Sequence, residues 1–135
     1  MHRRVVIYTF VVGNYDTPKE PKNLPEDFSW VCIKPDSQEM KDLGITDPKM
    51  ASVYYKLHPE ILFPNAEWSL CLDANISITD EKFYSVISSL IDTDIVYAGI
   101  KHPQRDDIYE ESWRIIRNGR DSLRNMFRVT RFLKK

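Results

Sequence analysis

The run Val5-Val-Ile-Tyr-Thr-Phe-Val-Val12 constrains the fold most. It is apolar, β-branched and aromatic, and it stops at the turn signal Gly13-Asn14-Tyr15-Asp16. Basic residues before it give it the outline of a signal peptide. It is too short for one, it contains Tyr8 and Thr9, and no small-residue cleavage site follows. It reads as a buried strand. Three more runs share its character and are bounded by turn residues, so four strands are predicted: Arg4–Val12, Phe28–Ile33, Glu67–Leu72 and Asp94–Gly99.

Helical signals lie between and after these runs. Asp47-Pro48 is a cap followed by proline at the first helical position, and Met50, Val53, Tyr54 and Leu57 recur at helical spacing up to His58-Pro59. Thr79 is placed to cap a second helix, with Asp80 and Glu81 in its first turn and Phe83, Val86, Ile87, Leu90 and Ile91 on one face. A third helical region starts near Asp107 and breaks around Asn118-Gly119. Strands alternating with helices imply an α/β fold, a mostly parallel sheet covered on both faces. At 135 residues the chain fits one domain over its whole length.

No stretch approaches the ~20 apolar residues of a membrane-spanning helix, so the expectation is a soluble protein of the cytoplasm. Cys32 and Cys71 sit inside apolar runs without the spacing of a zinc or redox motif, and read as buried free thiols. A disulfide between adjacent strands is the alternative.

In parallel sheets ligands bind beyond the C-terminal ends of the strands. The residues there are Gly13–Asp16, Lys34–Asp36, Asp73–Asn75 and Lys101–Arg105. Asp73 and Asn75, at positions i and i+2 of an extended chain, would point the same way and could share one divalent cation. An Asx turn closing the strand explains the same pair. Tyr15 offers a ring to a nucleobase, and Asp36 an acceptor to a base or ribose, though both also sit in ordinary turn sequences. His102 is a candidate metal ligand, phosphate partner or general acid.

Four stretches together resemble a family: Val6–Asp16, Lys49–Lys56, Phe63–Ile76 and His102–Glu111. They resemble, in order, the glycosyltransferase-like domain found in bacterial surface-polysaccharide and plant mucilage-related proteins, formerly a domain of unknown function. The resemblance implies a GT-A-like, Rossmann-like fold that binds a nucleoside-diphosphate sugar and transfers the sugar to a glycan or lipid-linked acceptor. It implies a metal site for Mg²⁺ or Mn²⁺ at Asp73 and Asn75, with asparagine where the commoner motif has a second aspartate. Donor contacts are implied at Gly13, Asn14, Tyr15, Asp16, Asp36, Lys49, Lys56, Asp73, His102 and Arg105. Family members continue past the segment equivalent to Phe132–Lys135 into chain that helps build the acceptor side, so the resemblance leaves two readings, a fragment truncated at its C-terminus or a minimal variant. A donor-binding module without turnover of its own is the alternative.

Charge is distributed unevenly. Residues 1–112 carry 11 Lys/Arg against 19 Asp/Glu, a net of −8, whereas residues 113–135 carry 8 against 1, a net of +7. Arg117, Arg120, Arg124, Arg128, Arg131 and Lys135 advance at helical spacing beside an apolar face, making residues 107–135 a basic amphipathic segment. Such a segment suits peripheral association with an anionic membrane. Balancing the acidic remainder of the chain explains it as well. Nucleic-acid binding lacks a recognisable module. A haloacid-dehalogenase-type phosphatase would need its aspartate motif after the first strand, and Asp73 follows the third.

Overall fold

Val5–Phe10 forms β1, and all six of its residues are buried, as expected of a strand covered on both faces. The computed structural model describes residues 4–12, 16–34, 41–42, 44–99, 101, 104 and 106–133. β2, Phe28–Ile33, and β3, Trp68–Cys71, flank β1 in the order β2-β1-β3, and both pair with it in parallel. The register sets Ile7 against Trp30 and Leu70, and Tyr8 against Val31 and Cys71. The expected parallel α/β architecture is therefore present.

The alternation of β1 feeds two cores. Val5 and Ile7 join Phe28, Leu72, Tyr84 and Ile91 on one face, and Val6, Tyr8 and Phe10 join Ala51 and Tyr55 on the other. Helix α1, Pro48–Leu57, and the short α2, Pro59–Leu62, belong to the second face. Helix α3, Lys82–Ile91, belongs to the first. The Asp47 carboxylate accepts from Lys49 N at 2.9 Å, and His58 ends α1. The start and stop signals of α1 therefore acted as read.

The buried face of α1 differs from the expected one. Ala51, Ser52 and Tyr55 are buried and Tyr54 packs against the core as expected, while Met50, Val53 and Leu57 are exposed. Small Ala51 lets the helix approach the sheet closely, and Tyr55 stacks on Phe10 at 6.4 Å between ring centroids. The larger aliphatic residues are left on the outer side. At α3 the closing carboxylate is Asp80, which accepts from Lys82 N at 2.9 Å, and not Thr79. Tyr84 is buried and donates to Lys22 O at 3.0 Å, whereas Val86 is exposed.

Asp94–Gly99 is not a strand. The Thr93 hydroxyl donates to Leu90 O and lies 3.4 Å from Ile95 N, which keeps the chain turning after α3. Val96 and Tyr97 are 95% and 84% exposed. Strand preference expresses packing on a pleated surface, and without such packing β-branched sequence does not define a strand.

The chain divides into two compact units, Met1–Ile95 and Val96–Lys135. The second contains α4, Ile108–Arg117, and α5, Leu123–Leu133. Asp107 caps α4 by accepting from Tyr109 N and Glu110 N. Asn118 ends it, and Gly119 follows at φ +63, a left-handed conformation that glycine adopts without strain. Ser122 then opens α5 by accepting from Asn125 N at 3.2 Å. The arginine series is consequently divided between two helices rather than running along one. Among the described residues no helix is long and apolar enough to cross a membrane.

Cys32 and Cys71 are free and half-buried. They lie on β2 and β3, with β1 between them, about 9.6 Å apart at two strand spacings. That separation rules out the disulfide alternative.

Candidate functional site

β3 ends at Cys71, buried Leu72 continues inward, and the chain then turns sharply. Leu72 N donates to Tyr8 O, and Ile76 N donates to Asp73 O at 2.9 Å, so Asp73-Ala74-Asn75-Ile76 is a β-turn. Ala74 is buried beneath it while Asp73 and Asn75 are exposed. The expected extended geometry, with both side chains aligned by strand alternation, is not what forms. Asp73 and Asn75 are instead neighbours across one tight turn.

Lys56 reaches this turn from α1. Its Nζ lies 2.9 Å from Asp73 Oδ1. Tyr55, the residue before it, is anchored on Phe10 at the end of β1, so packing of α1 on the sheet brings the Lys56 ammonium to the strand ends. Burial works to lower the Lys56 pKa, but the Asp73 hydrogen bond and charge outweigh it, and the pKa is raised. Lys56 is therefore a fixed cation at neutral pH.

Beneath this pair lies a contact that sequence reasoning missed. Tyr8, 1% exposed, sits in the core cluster against which Cys71, its register partner on β3, is packed. Burial raises the Tyr8 pKa strongly, with the Cys71 contact adding to it. Burial also raises the Cys71 thiol, against the opposing influence of Lys56 and Tyr8. The only signal in the sequence was spacing: Cys71 and Asp73 are two residues apart, and Tyr8 is a polar-tipped ring inside an apolar run.

Of the other expected site residues, Lys49 and Asp16 are among those described. Lys49 is exposed near the start of α1, about 10 Å along the helix from Lys56. Seven residues of spacing put the two lysines two turns apart on one side of the helix. Asp16 is exposed in the segment after β1. Lys101 pairs with Asp106 at 2.8 Å on an exposed surface of the second unit. Gly13, Asn14, Tyr15, Asp36, His102 and Arg105 lie outside the described residues. Among the described residues no group of three or more His, Cys, Asp or Glu side chains is gathered to hold a metal.

The strand-end turn therefore presents a carboxylate, an amide and an ammonium together. Such a set can donate to and accept from a polar ligand, and its cation suits an anionic group. Comparison with known proteins bears on which ligand. The family model described as TOD1/MUCI70, glycosyltransferase-like domain, matches residues 38–130, a span that includes Lys56, Asp73 and Asn75. Neither the curated proteins nor the solved structures give a match.

Proposed function

The chain belongs to the TOD1/MUCI70 glycosyltransferase-like domain family, and from that premise we propose that it transfers a sugar from a nucleoside diphosphate to a glycan or lipid-linked acceptor. The observation that carries this reading is the Lys56–Asp73 pair at the C-terminal end of a parallel sheet. That is where sheets of this kind bind nucleotides. In this reading the fold is of GT-A type, and the turn Asp73–Ile76 lies against the donor diphosphate.

The donor set at the turn fits a hard divalent cation. Asp73 supplies a carboxylate and Asn75 an amide oxygen, and Mg²⁺ or Mn²⁺ accepts such oxygens while water and phosphate complete its shell. When bound there, the cation neutralises charge on the leaving diphosphate. Asn75 is neutral, so the site carries one formal negative charge where two aspartates would carry two. Lys56 offsets that one when no ligand is present.

Lys56 is given a second role by its raised pKa. It stays protonated while the acceptor hydroxyl attacks the anomeric carbon, and its ammonium donates to a diphosphate oxygen as charge builds there. The pairing with Asp73 holds the long side chain in place beforehand. Binding the donor then exchanges one partner of Lys56 for another rather than ordering a free chain.

The test is release of nucleoside diphosphate from uridine, guanosine and cytidine diphosphate-sugars, with Mg²⁺ or Mn²⁺ present. Turnover of one donor class is expected, and Lys56→Ala should lower it by about 10²-fold, the scale of one lost donor at a developing charge. Unchanged rates in both Lys56→Ala and Asp73→Ala would remove this turn from the reaction.

A further inference from the structure

The second unit carries an apolar and basic surface that the donor-site reading does not use. In α4, Tyr109, Ser112 and Ile116 meet Met126 of α5 around a cavity of about 170 Å³. Three apolar side chains at its rim stay largely in solvent: Trp113 is 61% exposed, Leu123 53% and Phe127 65%. The cavity is smaller than the roughly 300–1,000 Å³ of a small-molecule site. Its rings are thus presented outward rather than wrapped round a ligand.

Guanidinium groups border these rings on both helices. Arg117 lies one turn after Trp113, and Arg124 and Arg131 lie one turn before and after Phe127, so each ring and its arginines share a side of their helix. Trp113 also borders a second recess with Arg114, Arg117, Glu110 and Asn118, which is more open to solvent and mostly polar, unlike the enclosing apolar pocket of a small-molecule site. Arg114 lies 3.4 Å from Gln104 Oε1, a neutral partner. Asp121, the one acidic residue from 113 onward, is engaged with Ser122 N and with Asn125 Nδ2.

We propose that the α4–α5 pair is a docking face for an anionic lipid bilayer, with Trp113 and Phe127 entering the boundary between headgroups and acyl chains and the arginines of both helices taking lipid phosphates. Charge complementarity selects this occupant: residues 108–133, which span the two helices, carry six arginines against Glu110, Glu111 and Asp121, a net of +3, and both glutamates lie in the first turn of α4, before Trp113 and all six arginines. The combination of outward aromatic rings with adjacent guanidiniums is what an interfacial position requires, since indole suits the headgroup level and arginine the phosphate plane. The inference stands independently of the donor-site reading.

The full chain is sedimented with vesicles of phosphatidylcholine alone and of phosphatidylcholine mixed with phosphatidylglycerol. Binding at least about tenfold tighter to the anionic vesicles is expected. Each basic group near such a surface contributes about fivefold, so R124Q/R128Q/R131Q should bind more than tenfold more weakly. All three arginines are exposed, and circular dichroism checks that the variant keeps its fold. Brominated lipids should quench tryptophan fluorescence in the wild type. In Trp113→Phe only the half-buried Trp30 and Trp68 remain, and that quenching should be lost. The proposal is overturned by equal or no binding to the two vesicle types, by wild-type affinity in the triple arginine variant, or by bound protein whose Trp113 is not quenched. Polyglutamate that binds as tightly as the anionic vesicles would also overturn it, by pointing to an acidic protein partner.

Discussion

The Lys56 ammonium lies 2.9 Å from the Asp73 carboxylate, joining the end of α1 to the turn after β3. Both side chains are substantially exposed, 40% and 66%, so the pair contributes little to folding. A double-mutant cycle of Lys56→Met and Asp73→Asn in urea should give a coupling of about 0.2–1 kcal/mol that shrinks with added salt. A coupling of several kcal/mol, insensitive to salt, would make the pair structural.

The same contact makes Lys56 and a divalent cation competitors for Asp73. Removing the ammonium in Lys56→Gln should tighten binding of Mn²⁺ alone, because the metal no longer displaces a hydrogen-bonded cation. The same variant should weaken binding of a nucleoside diphosphate. Electron paramagnetic resonance titration of free Mn²⁺ checks the first effect and calorimetry the second. Parallel weakening of both would contradict the competition.

Alkaline pH should destabilise the protein through the groups under the site. Tyr8 and Cys71 are raised above their ordinary values of 10.0 and 9.0, and Lys56 above 10.5. Each therefore holds its proton more tightly folded than unfolded. Their contribution is complete below about pH 9 and is lost as pH rises through the folded values. Thermal melts should show a falling Tm above pH 9, less steep in Tyr8→Phe. Alkylation of Cys71 at pH 8 should be slower than that of an unfolded-chain cysteine.

Ile7, fully buried against Phe28, Leu72 and Tyr84, fixes the α3 side of the sheet. Ile7→Ala should cost about 2–5 kcal/mol. Tyr84→Phe removes only the hydrogen bond to Lys22 O and should cost about 1 kcal/mol. Urea titration measures both, and equal effects would contradict this packing.

Much of the fold was legible because a strand buried on both faces has to be continuously apolar. Val5–Phe10 could be read for that reason, and its parallel partners followed. Asp94–Gly99 had a similar β-branched and aromatic centre, Ile95-Val96-Tyr97, without the packing. The face of α1 was misread because the larger Met50, Val53 and Leu57 outweighed Ala51 on hydropathy, whereas close approach to a sheet favours the small residue. At the site, Asp73 and Asn75 were visible as strand-end residues, but the turn that relates them depends on a backbone bond from Ile76 N. The family resemblance implied Lys56 and Lys49 alike. Only the stacking of Tyr55 on Phe10 shows which of them meets Asp73.

The central claim, that the turn after β3 holds a donor diphosphate, is tested most directly by calorimetric titration of nucleoside diphosphate-sugars into wild type, Lys56→Ala and Asp73→Ala, with Mg²⁺ or Mn²⁺ present. The account predicts saturable binding of one donor class, weakened at least about tenfold in each variant while the urea midpoint shifts little. Undiminished donor binding in both variants would contradict it.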